Sequence, residues 1–240
     1  MTNLIDLSKK AKISLEKKQI FGEKAQVVLI LDKSLSMQDF YRRGVVQQIV
    51  ERLLGIGMNM DDNQSIEVFA FDSNAVELEE ANASNHIGYV ERMLKKNSLG
   101  YATKYSLPMK MVLEKFVPKA PVKTTGFFRK KTVATGEAGV AKLPTFVFFI
   151  TDGDNSDKKE TEALIREASN QAVFWQFVGI GRERFEFLQK MDDMDGRFLD
   201  NVDFFAIEDP SKVSDEELYD KLLTEFPQWI KDARTKGILQ

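Results

Sequence analysis

Three strand-length runs of almost unbroken apolar residues constrain this chain more than any other feature. They are residues 25–31 (AQVVLIL), 145–150 (TFVFFI) and 173–180 (VFWQFVGI). A strand with one wet face alternates apolar and polar residues, because successive side chains point to opposite faces. A strand that is apolar at consecutive positions must be covered on both faces. Central strands of a parallel sheet meet that condition, since the crossover helices pack above and below them.

The segments between the runs supply the partners. Val45, Val46, Ile49, Val50, Leu53, Leu54 and Ile56 mark one face of a helix. Residues 65–71 (SIEVFAF) alternate as a strand, and a short hairpin strand is expected at 75–78. Residues 85–95, 106–116, 158–170 and 184–191 read as helices, and 204–206 as a short strand. Residues 214–233 form a helical tail, with Ser214 as its cap ahead of Glu216 and Glu217 and Pro227 restarting the helix at a first turn. The alternation implies an α/β fold: a Rossmann-like open, mostly parallel six-stranded sheet with helices on both faces and right-handed crossovers.

One domain is expected over 25–240, preceded by an N-terminal arm at 1–24 that docks loosely as an extended segment through Leu4, Ile5, Leu7, Ile13 and Leu15. Residues 119–142 break the pattern. They carry Lys119, Lys123, Arg129, Lys130, Lys131 and Lys142 against Glu137, with Gly126, Gly136 and Gly139, and read as a basic insertion in the form of a mobile hairpin.

Composition excludes several chemistries. The chain has no cysteine, so disulfides, thiolate catalysis and Cys-ligated zinc or iron–sulfur sites are out. The one histidine, His86, rules out multi-His metal sites and reads as a loop or helix-surface residue. A net charge of −3 gives no global pull toward nucleic acid or anionic lipid. The start of the chain has no apolar signal-peptide core, and no run approaches the length of a membrane span. A cytoplasmic protein without membrane insertion is the expectation.

Open α/β sheets bind ligands beyond the carboxyl ends of their strands. Both loops found there begin with an aspartate: Asp32 in Asp32-Lys33-Ser34-Leu35-Ser36, and Asp152 in Thr151-Asp152-Gly153. Two carboxylates at the carboxyl ends of central strands repel unless a cation lies between them. Ser34 and Ser36, two residues apart, can present both hydroxyls to one side. Hard oxygens without His or Cys select Mg²⁺, Ca²⁺ or Mn²⁺ over zinc or copper.

The D-x-S-x-S motif after a buried strand resembles the metal-ion-dependent adhesion site of von Willebrand factor A (vWA) domains. That family adds a threonine from a later loop in a G-x-T-x-Y-like context, matched by Thr103 within Gly100-Tyr101-Ala102-Thr103-Lys104-Tyr105, and an aspartate after a later strand, matched by Asp152. Beyond the site, LSKKAKISLEKK, VFWQFVGIG and LYDKLLTEFPQWIKDARTKGIL are similar to the vWA proteins of bacterial tellurite-resistance and stress-response loci. The resemblance implies a vWA fold and a binding module rather than an enzyme. It implies a divalent cation, foremost Mg²⁺, held by Asp32, Ser34, Ser36, Thr103 and Asp152, and a protein partner whose Asp or Glu carboxylate completes the ion's shell. The 119–142 insertion departs from the family's compact loop.

Blander readings compete. Asp32 and Asp152 suit helix N-caps, and Ser34, Ser36 and Thr103 suit loops. Residues 152–157 suggest an EF-hand loop but place Asp157 where glycine is needed and Ala163 where glutamate is needed. Asp154 and Asp157 are expected on a solvated rim, and Asp72 either behind the ligands or in a turn. A metal-dependent hydrolase in the same acidic cleft, or a structural vWA domain whose site holds no ion, are the alternatives in function. The hydrolase lacks an evident general base.

Overall fold

The computed structural model describes residues 3–117, 122–125, 131–134, 140–153 and 155–240, with the backbone alone at 122–125 and 131–134. The strands are β1 (Gln26–Asp32), β2 (Glu67–Phe71), β3 (Ala75–Glu77), β4 (Val122–Thr125), β5 (Lys131–Ala134), β6 (Thr145–Thr151), β7 (Val173–Ile180) and β8 (Val202–Ile207). The helices are α1 (Leu4–Lys17), α2 (Gln38–Arg42), α3 (Val45–Met60), α4 (Tyr89–Lys96), α5 (Ser106–Phe116), α6 (Lys158–Ala168), α7 (Glu186–Asp192), α8 (Asp215–Leu222) and α9 (Phe226–Thr235).

Six strands form one sheet in the order β3-β2-β1-β6-β7-β8, parallel throughout except for the β3 edge. β1, β6 and β7 are the three apolar runs, and they lie side by side at its centre. Their alternate side chains feed two separate cores. Val27, Leu29, Leu31, Phe146 and Phe148 join residues of α1, α3, α4, α8 and α9 on one face. Val28, Ile30, Val147, Phe149, Trp175 and Phe177 join α5, α6 and α7 on the other. Burial on both faces is why these strands carry no polar alternation.

The chain leaves β1 toward β2 and leaves β6 toward β7, in opposite directions across the sheet. The strand order therefore reverses between β1 and β6, and a crevice opens at their carboxyl ends. Asp32 and Thr151 are the last residues of these two strands.

The N-terminal segment differs from the expected extended arm. It is helix α1, capped by Asn3, whose side chain accepts from Ile5 N at 3.1 Å. Leu4, Leu7, Ala11, Ser14 and Leu15 are its buried stripe. It crosses α3 closely at Gly55, where an added Cβ would lie 3.1 Å from the Leu7 carbonyl and 2.8 Å from the Tyr219 hydroxyl. Lys10 pairs with Asp215 at 2.9 Å, fixing α1 to the start of α8.

The tail is two helices, with the restart at Pro227 that the sequence indicates. Ser214 caps α8, accepting from Glu217 N, and Pro227 stands in the first turn of α9. Within the insertion, β4 and β5 pair antiparallel as a hairpin. The remainder of 119–142 before Val140, and Asp154, lie outside the described residues. His86 is buried in the turn before α4, its Nδ1 3.6 Å from Glu51 Oε1. Among the described residues, no helix is long and apolar enough to cross a membrane.

Candidate metal centre

Asp32 is brought to the crevice by β1 and held from three directions. Its Oδ1 accepts from Ser34 N at 2.8 Å, which folds the Asp32–Ser34 stretch into a tight turn. Its Oδ2 accepts from Thr151 Oγ1 at 2.7 Å, across the β1–β6 boundary. Its carbonyl accepts from the Tyr41 hydroxyl at 2.8 Å. The turn starts a short 3₁₀ segment, Leu35–Met37, that lifts Ser36 over the crevice.

The two serine hydroxyls stand 2.9 Å apart, and Ser36 Oγ donates to Asp152 Oδ1 at 2.9 Å. Ser34, Ser36 and Asp152 thus form a continuous chain of oxygens, with Asp32 tied to its start through the Ser34 amide. Adjacent corners of an octahedron with bonds of ~2.0–2.1 Å lie about 2.9 Å apart, so this spacing suits a small hard cation. The donors are oxygens only, which fits Mg²⁺ or Mn²⁺ and gives soft metals no ligand.

The loop carrying Thr103 is pinned to both aspartate loops. Gly100 N donates to Lys33 O and Leu35 N to Gly100 O, each at 2.9 Å. The Thr103 carbonyl accepts from Ser156 N at 2.9 Å and from Ser156 Oγ at 3.1 Å. Thr103 therefore joins the site through its main chain. The hydrogen bonds of the described residues do not link its hydroxyl to Asp32, Ser34, Ser36 or Asp152.

Several residues that the motif did not single out hold the site. Thr151, fully buried, is one. Tyr105 is another: its hydroxyl donates toward Gly153 O at 2.6 Å and lies 3.1 Å from Thr151 Oγ1. Lys33 and Asp72 form a buried ion pair beneath the loop. Asp72 also closes a turn by accepting from Asn74 N at 2.8 Å, so it acts behind the site and in a turn at once. Its carboxylate explains Gly100, where a Cβ would fall 1.9 Å from Asp72 Oδ2.

Asp157 corrects the sequence reading. Instead of lining a solvated rim, it accepts from Tyr105 N and Ser106 N, both at 3.0 Å, and so caps the start of α5. The two aspartates read as possible caps, Asp32 and Asp152, turn their carboxylates into the crevice instead.

The electrostatics fit a cation. Burial pushes Asp32 up to about 6, with the neighbouring Asp152 charge adding to the effect. Burial also raises Asp152, helped by Glu183. A carboxylate pair in that condition takes up a proton or a positive ion.

Comparison with known proteins identifies the family and the fold. The profile of the vWA-TerF-like family, described as the vWA found in TerF C terminus, matches residues 24–239. The uncharacterized protein YcbR of Bacillus subtilis (strain 168) is 40% identical over 240 residues, which is 98% of this chain and 90% of that protein. Among solved structures, the ArnB paralog VWA2 from Sulfolobus acidocaldarius superposes with a TM-score of 0.52 at 19% identity, over 84% of this chain and 45% of its own. Proximal thread matrix protein 1 from the mussel byssus gives a TM-score of 0.53 at 14% identity, over 84% and 47%. This chain thus spans about half the length of those two structures, and at such identity they share its fold alone.

Proposed function

The chain belongs to the vWA-TerF-like family of von Willebrand A domains, and on that footing we propose that it is a metal-dependent protein-binding module. The observation that carries this reading is the oxygen chain Ser34–Ser36–Asp152 with Asp32 beside it, assembled from segments more than a hundred residues apart. Asp32, Ser34, Ser36 and Asp152 would hold a divalent cation, Mg²⁺ foremost, with Thr103 above them in the pinned loop. The ion supplies a positive centre that accepts an outside carboxylate. The protein's own residues orient it: Thr151 and the Ser34 amide fix Asp32, and Ser36 fixes Asp152.

The rim suits a protein partner that presents an Asp or Glu. Leu35 and Tyr101 are 40% and 79% exposed on loops joined by the Leu35–Gly100 hydrogen bond. Of the two, the tyrosine is the kind of side chain that most often anchors a protein interface. An open groove of about 410 Å³ next to Asp152 is lined by Phe40, Arg43, Arg182 and Lys212 together with Glu183, Glu208 and Asp209, a mixed-charge surface. We place the module in a cytoplasmic bacterial tellurite-resistance or stress-response complex, as a binding rather than a catalytic component, with neither nucleic acid nor membrane as its target.

The test is calorimetry with Mg²⁺, Mn²⁺ and Ca²⁺, followed by capture of partners from a bacterial lysate with and without EDTA. Ion binding, and a partner retained only with the ion and lost with Asp32→Ala, support the reading. A partner retained through both treatments overturns it, as does robust hydrolysis of phosphate or carboxylic esters abolished by Asp152→Ala.

A further inference from the structure

A second group of carboxylates gathers at the opposite end of the sheet. Asp203 is the second residue of β8, so it sits at the amino end of its strand, whereas Asp32 ends β1. Asp192 is the last residue of α7, and Glu225 immediately precedes α9. One carboxylate oxygen from each lies within 4.8 Å of the other two.

Acidic residues often cluster without consequence, but here one carboxylate oxygen is buried without a donor. Asp203 is 6% exposed, and its Oδ2 has no hydrogen-bond partner. Its register neighbour on β7 is Gln176, fully buried, whose Nε2 donates to the Asp203 carbonyl at 3.3 Å. The Gln176 Oε1 is likewise without a partner. A buried acceptor left unpaired is costly, and this Asp203 oxygen belongs to a group of three carboxylates that a positive ligand would satisfy.

The nearby guanidinium is engaged elsewhere. Arg197 donates from Nε to Met194 O at 2.8 Å and from Nη2 to Asp192 O at 2.6 Å, and its Nη1 lies 2.7 Å from Asp200 Oδ1 as an ion pair without hydrogen-bond geometry. Its charge reaches Glu225 but only offsets part of the repulsion. Burial, followed by the mutual repulsion of the group, drives Asp192 and Glu225 up to about 7, and burial alone leads the rise of Asp203 to about 6.

We propose that Asp192, Asp203 and Glu225 form a second cation site, independent of the first and suited to Ca²⁺. Bonds of ~2.3–2.6 Å let one Ca²⁺ join oxygens up to about 5 Å apart, whereas Mg²⁺ bonds of ~2.0–2.1 Å reach only about 4 Å. Ca²⁺ also accepts an amide oxygen such as Gln176 Oε1. The site would tie together an edge strand, the end of α7 and the start of α9. Its role would be to clamp the β8 edge, far from the partner-binding crevice.

The probe is Ca²⁺ alone, titrated at pH 7.5 into the full chain, Asp203→Asn and Asp152→Asn, with bound ions counted by native mass spectrometry. The proposal expects one Ca²⁺ equivalent that survives Asp152→Asn and is weakened at least tenfold by the near-isosteric Asp203→Asn. It is overturned if Asp152→Asn takes up no Ca²⁺, or if Asp203→Asn binds as many ions as tightly as the wild type. Carboxyl ¹³C NMR of the wild type removes any dependence on the variant's folding. Resonances of Asp192, Asp203 and Glu225 that move with Ca²⁺ support the site; resonances that move with pH only mark a proton-sharing cluster and end the proposal. Loss of partner binding in Asp152→Asn leaves this outcome untouched, so the two readings fail separately.

Discussion

Ser36 Oγ donates to Asp152 Oδ1 at 2.9 Å, a contact between residues 116 positions apart. It joins the loop after β1 to the loop after β6 on the solvent side of the crevice, where Asp32 and Thr151 join them beneath. Removing either partner should weaken the ion and spare the fold. For Asp152→Asn we expect at least a tenfold loss of Mg²⁺ affinity by calorimetry. The ion-free variant should melt at or slightly above the wild type, because one of two repelling buried carboxylates is gone. A melting midpoint that falls steeply would show Asp152 to be a structural anchor instead.

Gly100→Ala should be severe for a residue in a loop. Its Cβ would overlap the Asp72 carboxylate, and Asp72 has to move off the buried Lys33 ammonium. Separating a buried ion pair costs on the order of 3–5 kcal/mol. Urea denaturation measures that loss. Lys33→Met combined with Asp72→Leu, which removes both charges, should cost much less than either change alone. Additive losses in the two single variants would show that the pair is not coupled.

Acidity should act on the ion-free protein in two directions. Asp32, Asp192, Asp203 and Glu225 are raised to between about 6 and about 7 by burial. The native state therefore holds protons that the unfolded chain has already released, and stability falls as pH rises from ~4 to ~7. Glu23, Asp39, Asp209 and Asp220 are lowered by hydrogen bonds and ion pairs, so their contribution is present above the ordinary carboxylate range and fades as pH drops below ~4. Urea midpoints in EDTA should peak at pH ~4 and decline toward pH ~7, and a divalent cation should restore much of the decline at pH ~7. A midpoint that climbs steadily from pH 5 to pH 7 in EDTA contradicts the raised carboxylates.

What the sequence disclosed follows from range. The central strands were legible because burial on both faces writes itself into consecutive residues, and Asp32 and Asp152 were legible because one ends and the other directly follows such a strand. Helix α1 was obscured: its stripe spends two of five buried positions on Ala11 and Ser14, residues that do not register as an apolar face. Asp157 was misread because its partners, the amides of Tyr105 and Ser106, are about fifty residues away. Thr151, placed by the sequence in the loop after residue 150, ends β6, and its bond to Asp32 shows only when β1 and β6 are laid side by side. Leu7 tests the account of α1. Leu7→Ala should cost ~2–5 kcal/mol, the range for a buried leucine, where a loosely docked arm would lose almost nothing.

Tyr101→Ala separates partner recognition from ion binding. Tyr101 is 79% exposed and follows Gly100, whose main chain is fixed to Lys33 and Leu35. Its ring is therefore presented on a rigid stem yet contributes no oxygen to the Asp32–Ser34–Ser36–Asp152 cluster. A large aromatic held in place at the rim of a charged centre is the kind of residue whose truncation costs an interface ~2 kcal/mol or more. Mg²⁺ affinity should stay within twofold of the wild type, while retention of the captured partner falls more than tenfold. Equal loss of both would mean that Tyr101 shapes the loop rather than the interface. Loss of neither would place the partner's footprint on the groove beyond Asp152, where Arg43→Ala and Lys212→Ala should then show the effect.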